Sequence, residues 1–420
     1  MHILFLTQII PYPPDAGPKV KTWHVLRYLI GRGDQVTLIS FVRPEEEQHI
    51  PALQAQGIEV IPVPMNRSRV KDVGYLLLSL LKGTSFLNER DNLSEFRRAV
   101  DVELEEKAID IIHADQLTMA QFATVKPGLR QPVRVFDAHN AVWTIVARMV
   151  ENLPRFLQPF AQIEARKVLE FEAKTVRDFE HTLAVSEQDR NALLSALAND
   201  SERQAASARI TVTPIAVDTT ALQPLQRSPN SRRIVTLGTL HYPPNADGIR
   251  WFLKEVFPLV LSREPEAHLT IIGKNPPDDF VALAAQDPQH IQVTGYVEDL
   301  DPYFEQSAII VVPVRAGGGM RVRILEAFAR GMPLVTTTVG LEGIDAQDGC
   351  EVIVRDESET FAQAVVDLLE NPATQVQLAL AGRELVEAKY DWQVALKAMD
   401  KVFSGGDHQP KSVEWAGVNA

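Results

Sequence analysis

Short apolar runs alternate with amphipathic stretches along nearly the whole chain, and this alternation restricts the fold more than any other feature. Ile3–Leu6 reads as a buried strand. A Pro/Gly loop follows through Gly17, and Thr22–Ile30 then puts Trp23, Leu26 and Ile30 on one helical face before Gly31 and Gly33 stop it. Val36–Phe41, Gly57–Val63, Ile109–His113, Val133–Phe136, Leu183–Val185 and Ile210–Val212 read as six more strands. Pro224–Pro229, with two prolines and a polar run, reads as a linker. The pattern then restarts. Ile234–Leu237, Leu269–Ile272, Ile291–Val293, Ile309–Val312 and Leu334–Thr337 are strands, and Asp247–Val260, Val322–Arg330 and Phe361–Glu370 are helices. Parallel strands need crossovers, and helical crossovers cover both faces of the sheet. The expected fold is therefore α/β, with two Rossmann-like doubly wound domains at 1–225 and 226–390, a last helix ending at Phe403 and a loose tail at 404–420. Ligands bind beyond the carboxyl ends of such strands, so the facing edges of the two domains are expected to form a cleft.

At 420 residues the chain can build two full cores. Its 42 Lys+Arg against 55 Asp+Glu argue against a basic nucleic-acid binder. Cys350 is the only cysteine, so no disulfide scaffold is expected. The charge is uneven: residues 1–225 hold 25 Lys+Arg against 28 Asp+Glu, and residues 226–420 hold 17 against 27. An anion bound by the second half must be drawn by local charge. No secretory pattern opens the chain, since Thr7 and Gln8 end the first apolar run. Val73–Leu81 is the longest membrane-like stretch, under half of the ~20 residues needed to span. It lies among Arg67, Arg69, Lys71, Lys82, Arg90, Arg97 and Arg98. It reads first as a buried helix with solvated flanks, and second as an interfacial segment meeting a lipid-linked acceptor. A cytoplasmic protein is expected, with a peripheral contact at the inner face of the plasma membrane under the second reading.

The chemistry concentrates in Pro313–Gly331. A buried strand leads into Gly317-Gly318-Gly319, and a helix with Ile324, Leu325 and Phe328 on its apolar face follows at once. Three glycines let backbone N–H groups approach an anion, and the helix N-terminus adds free donors and partial positive charge. Arg321 and Arg323 sit in that first turn, where cations oppose the helix dipole unless an anion is present. Their forked donors suit phosphate. Glu326, one turn on, could accept hydrogen bonds from ribose hydroxyls. The plainer reading is a flexible turn with a solvated ion-pair face, formed by Glu326 with Arg323 and Arg330.

The segment Gly317 through Thr337 resembles the donor-binding segment of glycosyltransferase family 4, the group 1 enzymes of GT-B fold. Val235-Thr-Leu-Gly-Thr-Leu-His-Tyr-Pro-Pro-Asn-Ala-Asp247, Gly295-Tyr-Val-Glu-Asp-Leu300, the Gly340–Gly343 turn and Tyr390-Asp-Trp392 fit the same family. Pro11 through Lys21, Phe136-Asp-Ala-His-Asn140 and Ala184-Val-Ser-Glu187 resemble its exopolysaccharide-associated members, including the PEP-CTERM type. The resemblance implies that the helix at 391–403 crosses back to the N-terminal, acceptor-binding domain, and that the C-terminal domain binds the donor.

It also implies roles. Glu326 matches the second Glu of the family's E-x7-E motif, which holds the ribose; the first falls at Gly318, so the donor sugar meets no carboxylate there. Relatives carry an Arg and a Lys after the first strand of this domain, and Gly238–Ala246 has neither, leaving Arg321 and Arg323 to bind the diphosphate. Gly17, Gly238, Tyr296 and Val297 match donor-binding positions. His139 matches a histidine near the donor sugar, able to donate to the leaving diphosphate or a sugar hydroxyl; alternatively it caps a turn with Asp137 and Asn140. Lys21, His113, Asp115 and Asn140 are candidates for the acceptor, although Lys21 could simply be solvated. The catalytic candidates are His139, Arg321 and Arg323. The expected activity is that of a retaining hexosyltransferase, independent of metal, with no cofactor and a nucleotide-diphosphate sugar as co-substrate. It would act on a glycan or lipid-linked acceptor in surface or exopolysaccharide synthesis. The alternatives are a GT-B nucleotide-sugar epimerase and a catalytically degenerate subunit that only binds the nucleotide sugar.

Overall fold

The computed structural model describes residues 1–403 except 152 and 229, so the tail expected at 404–420 lies outside the described residues. The chain divides into two units, Met1–Ile215 joined by the chain from Ala395 onward, and Ala216–Val394.

The first unit is built on a parallel sheet of β1 (His2–Thr7), β2 (Gln35–Val42), β3 (Glu59–Pro64), β4 (Ile111–Asp115), β5 (Val133–Ala138), β6 (His181–Ala184) and β7 (Ile210–Val212). The spatial order is β3-β2-β1-β4-β5-β6-β7, so the chain builds outward from β1 and then returns to its other side. Ile3 through Leu6 have no exposed surface, as a strand covered on both faces requires. Phe41, Phe96 and Phe122 pack together in the core, with the Phe41 and Phe96 rings 4.6 Å apart.

The second unit repeats the plan with β8 (Arg233–Leu237), β9 (His268–Ile272), β10 (Ile291–Gly295), β11 (Ile309–Val312), β12 (Leu334–Thr336) and β13 (Ile353–Val354), ordered β10-β9-β8-β11-β12-β13. Each sheet thus has a switch point, between β1 and β4 in the first and between β8 and β11 in the second.

Several local readings change. The first helix runs Gly17–Gly31 and begins well before Thr22, because Pro18 fits a first turn, where its missing N–H is not needed. Gly17 and Lys21 are therefore helical residues, not loop residues. The expected helix Asp247–Val260 starts at Pro243 and passes through a π-helical turn at Phe252–Val256. Pro258 accounts for the turn, since it lacks an N–H and its ring crowds the preceding carbonyls. The two-residue β13 is too short to show as an apolar run.

The apolar stretch Val73–Leu81 lies on the helix Arg69–Lys82, capped by Ser68 and ended by left-handed Gly83. The expectation that this helix is buried is overturned: Val73, Leu76, Leu77, Leu80 and Leu81 are all exposed, and Ser79 is its one buried residue among those described. The helix lies outside the layer that covers the sheet and packs on the short helix Phe86–Asp91.

Pro224 and the residues after it lie along the second unit. Leu225 N donates to Arg330 O at 3.0 Å, Ser228 N to Glu305 O at 2.7 Å, and Arg227 Nη1 to Ala308 O at 2.8 Å. The two ends of this unit are tied together. Val217 N donates to Tyr390 O and Trp392 N to Val217 O, each at 2.9 Å. Buried Asp391 accepts from the Thr219 amide at 3.2 Å and the Thr219 hydroxyl at 2.7 Å. Beyond Ala395 the chain packs on the first unit, where Tyr28 and Arg32 bind Asp400 and Arg32 Nη2 donates to Phe403 O at 2.7 Å. Asp391→Ala strands two buried donors of Thr219 and is expected to cost about 2–3 kcal/mol in urea unfolding, whereas Asp391→Asn costs less.

Candidate functional site

Both switch points carry polar clusters, and each is built by the loops that the strands feed. In the first unit, register places Asp115 at the end of β4 directly opposite Asp137 on β5. Two fully buried carboxylates side by side repel unless cations join them. Lys21, from the first helix, pairs with Asp137 Oδ1, and His113 Nε2 lies 3.2 Å from Oδ2. Burial alone would raise the Asp137 carboxyl, but the Lys21 ammonium and His113 outweigh it and hold it well below the usual range. Asp115 is held differently. His139 Nε2 lies 2.7 Å from its Oδ1, and the hydroxyls of Thr7 and Thr22 donate to Oδ2 at 2.7 and 2.9 Å. The Phe5 ring stacks on His113 with centroids 4.2 Å apart.

This geometry revises the expected contacts. Lys21, His113 and Asp115 are at most 1% exposed, so they hold the network and do not meet an acceptor directly, and Lys21 is not solvated. His139 is 8% exposed and bound by Asp115, not by Asp137 or Asn140. Asn140 is partly exposed beside it. Among the described residues, His113, Asp115 and Asp137 form the one group whose ligand atoms lie close enough together to hold a metal ion. The Lys21 ammonium already places a positive charge on that group.

Just beyond Asn140, the carboxylate of buried Glu172 accepts from the amides of Val142 and Trp143 at 2.9 and 2.8 Å, which caps the helix Val142–Glu151. Burial pushes the Glu172 carboxyl up to about 7, with those two amides opposing and Asp189 adding to the rise.

In the second unit, β8 leads to Gly238, β9 to Lys274, β10 to Tyr296 and β11 to the glycine loop, all at one sheet edge. Gly317 and Gly319 take φ of +105° and +83°, which side chains disfavour. The helix Val322–Ala329 follows, with Arg321 as its N-cap residue. Arg321 Nη1 donates to Gly318 O and Gly319 O at 2.6 Å each, so the arginine clamps the loop that precedes it. Arg323 Nη1 donates to Leu237 O and Nη2 to Asn245 Oδ1, each at 2.5 Å. A Cβ at Gly238 would stand 2.2 Å from Arg323 Nη1, so a side chain there would push the guanidinium out of this contact. The Arg323 guanidinium is lowered to about 10, first by burial and then by Arg321, with Glu326 opposing.

Glu326 is partly buried one turn up the helix. Burial raises its carboxyl, with Arg330 and Arg323 opposing. Arg330 pairs with Asp301 at 2.7 Å, not with Glu326, so the solvated ion-pair reading does not hold. Among the described residues, the Glu326 carboxylate has no hydrogen-bond partner. Tyr296 is exposed, and Lys274 Nζ lies 4.3 Å from its ring centroid; Val297 is partly buried beside it.

Sequence reasoning missed Lys274, Asn245 and Glu172. Lys274 stands in the loop directly after β9 and Asn245 in the first turn of the helix that follows β8, which are usable signals, whereas Glu172 lies in the middle of a helix and gives none.

Lys21→Met leaves Asp137 buried without its ammonium partner and is expected to cost about 3–5 kcal/mol by denaturant unfolding. Glu172 has a sign of its own. With a native pKa of about 7 against an ordinary 4.5, the folded chain holds a proton that the unfolded chain releases between those values. The stability that this group supports is therefore fully present below pH ~4.5 and falls as pH rises through about 7. Between about pH 5 and pH 8 the wild-type Tm is expected to fall more than that of Glu172→Gln.

Comparison with known proteins assigns both units. A model described as glycosyl transferases group 1 matches residues 231–371, and one described as a glycosyl transferase 4-like domain matches residues 16–215. The chain is 25% identical over 164 residues to an uncharacterized 44.6 kDa protein in the cps region of Klebsiella pneumoniae, covering 38% of this chain and 42% of that one. It is 28% identical over 153 residues to a GDP-mannose-dependent monoacylated α-(1-6)-phosphatidylinositol monomannoside mannosyltransferase of Corynebacterium glutamicum, covering 34% of this chain and 40% of that one. The matched part thus spans about two fifths of the length of these curated relatives. The fold matches the Anabaena HepE protein solved with UDP-glucose at a TM-score of 0.66 and 14% identity, covering 96% of this chain and 100% of that one. With both units matched by family models and the whole fold by a solved relative, the chain belongs to the group 1, family-4-like glycosyltransferases and has their GT-B fold.

Proposed function

We propose that the chain moves a hexose from a nucleotide-diphosphate donor to a glycan or lipid-linked acceptor, with retention, in the synthesis of a surface polysaccharide. The observation that carries this reading is the Glu326 carboxylate. It is partly buried, has no hydrogen-bond partner among the described residues, and stands one turn above the glycine loop. A carboxylate in that state takes the two hydroxyls of a ribose, and the loop below it takes the diphosphate.

The chemistry needs charge stabilised where it develops. The bond from the anomeric carbon to the diphosphate oxygen breaks, and the bond to the acceptor oxygen forms on the same face. The acceptor's proton passes to the departing phosphate. The loop amides, the helix N-terminus, Arg321 and Arg323 stabilise the diphosphate as it leaves. Because Arg321 and Arg323 already hydrogen-bond protein oxygens, they are set in place before the anion arrives. The exposed ring of Tyr296 offers a face for the base. His139, fixed by Asp115, is the group assigned to a sugar hydroxyl. The names of the relatives agree with this class of donor: one uses GDP-mannose, and the HepE structure holds UDP-glucose.

Titration calorimetry with UDP and GDP tests the reading. Arg321→Ala and Glu326→Ala are each expected to weaken the nucleotide that binds by about tenfold or more. Gly238→Ala is expected to do the same by displacing Arg323. Unchanged affinity in all three variants would place the donor elsewhere. Release of nucleotide diphosphate in the presence of an acceptor panel separates transfer from binding alone.

A further inference from the structure

We infer that the first unit carries a docking surface for an anionic lipid bilayer, formed by the helix Arg69–Lys82 and by residues 149–163. The inference rests on surface composition and does not depend on the transferase reading. More than half of the large hydrophobic side chains that the described residues leave exposed fall in these two segments. Leu81 is 86% exposed, Phe156 74% and Phe160 72%. The segments are neighbours, for Lys167 Nζ donates to Ser79 O at 3.2 Å and Glu164 accepts from Phe86 N at 2.7 Å. Apolar side chains gathered in this way are costly in water and mark a surface that something covers.

Charge selects the occupant. Residues 67–82 and 148–167 together hold eight Lys/Arg against three Asp/Glu, in a chain whose formal net charge is −13. An acidic chain that concentrates cations around its exposed leucines and phenylalanines is complementary to anionic headgroups above an apolar layer. The long basic stems can lie along the apolar surface with their charges at headgroup level. Phe156 and Leu157 follow Pro154 and Arg155 in the connection between the helices Val142–Glu151 and Gln158–Asp178, so apolar side chains project beside a cation. No helix is long and apolar enough to cross a membrane among the described residues, so the segments would lie in the interface.

Vesicle co-sedimentation at low salt tests this. Binding to phosphatidylcholine vesicles with about 30 mol % phosphatidylglycerol is expected to exceed binding to pure phosphatidylcholine by about tenfold or more. The double variants Phe156→Ser/Phe160→Ser and Leu77→Ser/Leu81→Ser should each lose about tenfold in vesicle binding, with Tm and nucleotide affinity unchanged because the side chains are exposed. The inference is overturned if the wild type stays in solution with anionic vesicles, or if both folded variants bind as the wild type does. It is also overturned if the wild type forms a dimer that the same substitutions dissolve, since a second copy would then cover the face.

Discussion

Two parallel strands that are neighbours in a sheet but not in sequence leave a gap between the loops they feed. That gap is the constraint on which the rest of this structure depends. β1 must pass its chain to β2 on one side while β4 arrives on the other, and β8 and β11 repeat the arrangement. No crossover helix covers those two points, so the residues that follow the strands stay available for chemistry. Thr7, Asp115, Gly238 and the Gly317–Arg323 segment all owe their positions to this topology.

The two switch points meet the same problem in opposite ways. In the first unit, the charges are of both signs and fully buried, and almost every polar atom finds a protein partner: Asp115 alone takes two hydroxyls and an imidazole. Such a network is stiff, because removing one member exposes the desolvation cost of the others. In the second unit, two guanidiniums stand near each other against carbonyl and amide oxygens, and the Glu326 carboxylate makes no hydrogen bond among the described residues. One cluster is closed by its own residues save for His113 Nδ1, and the other leaves a carboxylate open.

The strands are legible because most are short apolar runs, with the central ones buried on both faces, and twelve of the thirteen are read from such runs. The glycine loop was legible because three adjacent glycines before a helix have few structural uses. The rest depended on distance in sequence. Lys21 and Asp137 are 116 residues apart, and no local pattern announces that an ammonium will be buried against that carboxylate. The helix Arg69–Lys82 failed for a different reason: an apolar stripe states that a face wants covering, but not whether this chain covers it. The start of the first helix at Gly17 was hidden because Gly-Pro signals a loop as readily as a first helical turn.

The pairing of Val217 with Asp391 closes the second unit into a loop of chain whose entry and exit touch. Most of what fixes those ends, from the Thr219 contacts to the Arg383 guanidinium on Leu222 O and Ala329 O, lies within the unit itself. Seen as architecture, 216–394 is an insertion between the two stretches of chain that make up the first unit. Because its two ends lie together, a module of this kind can be exchanged between relatives as one block through its two adjacent junctions.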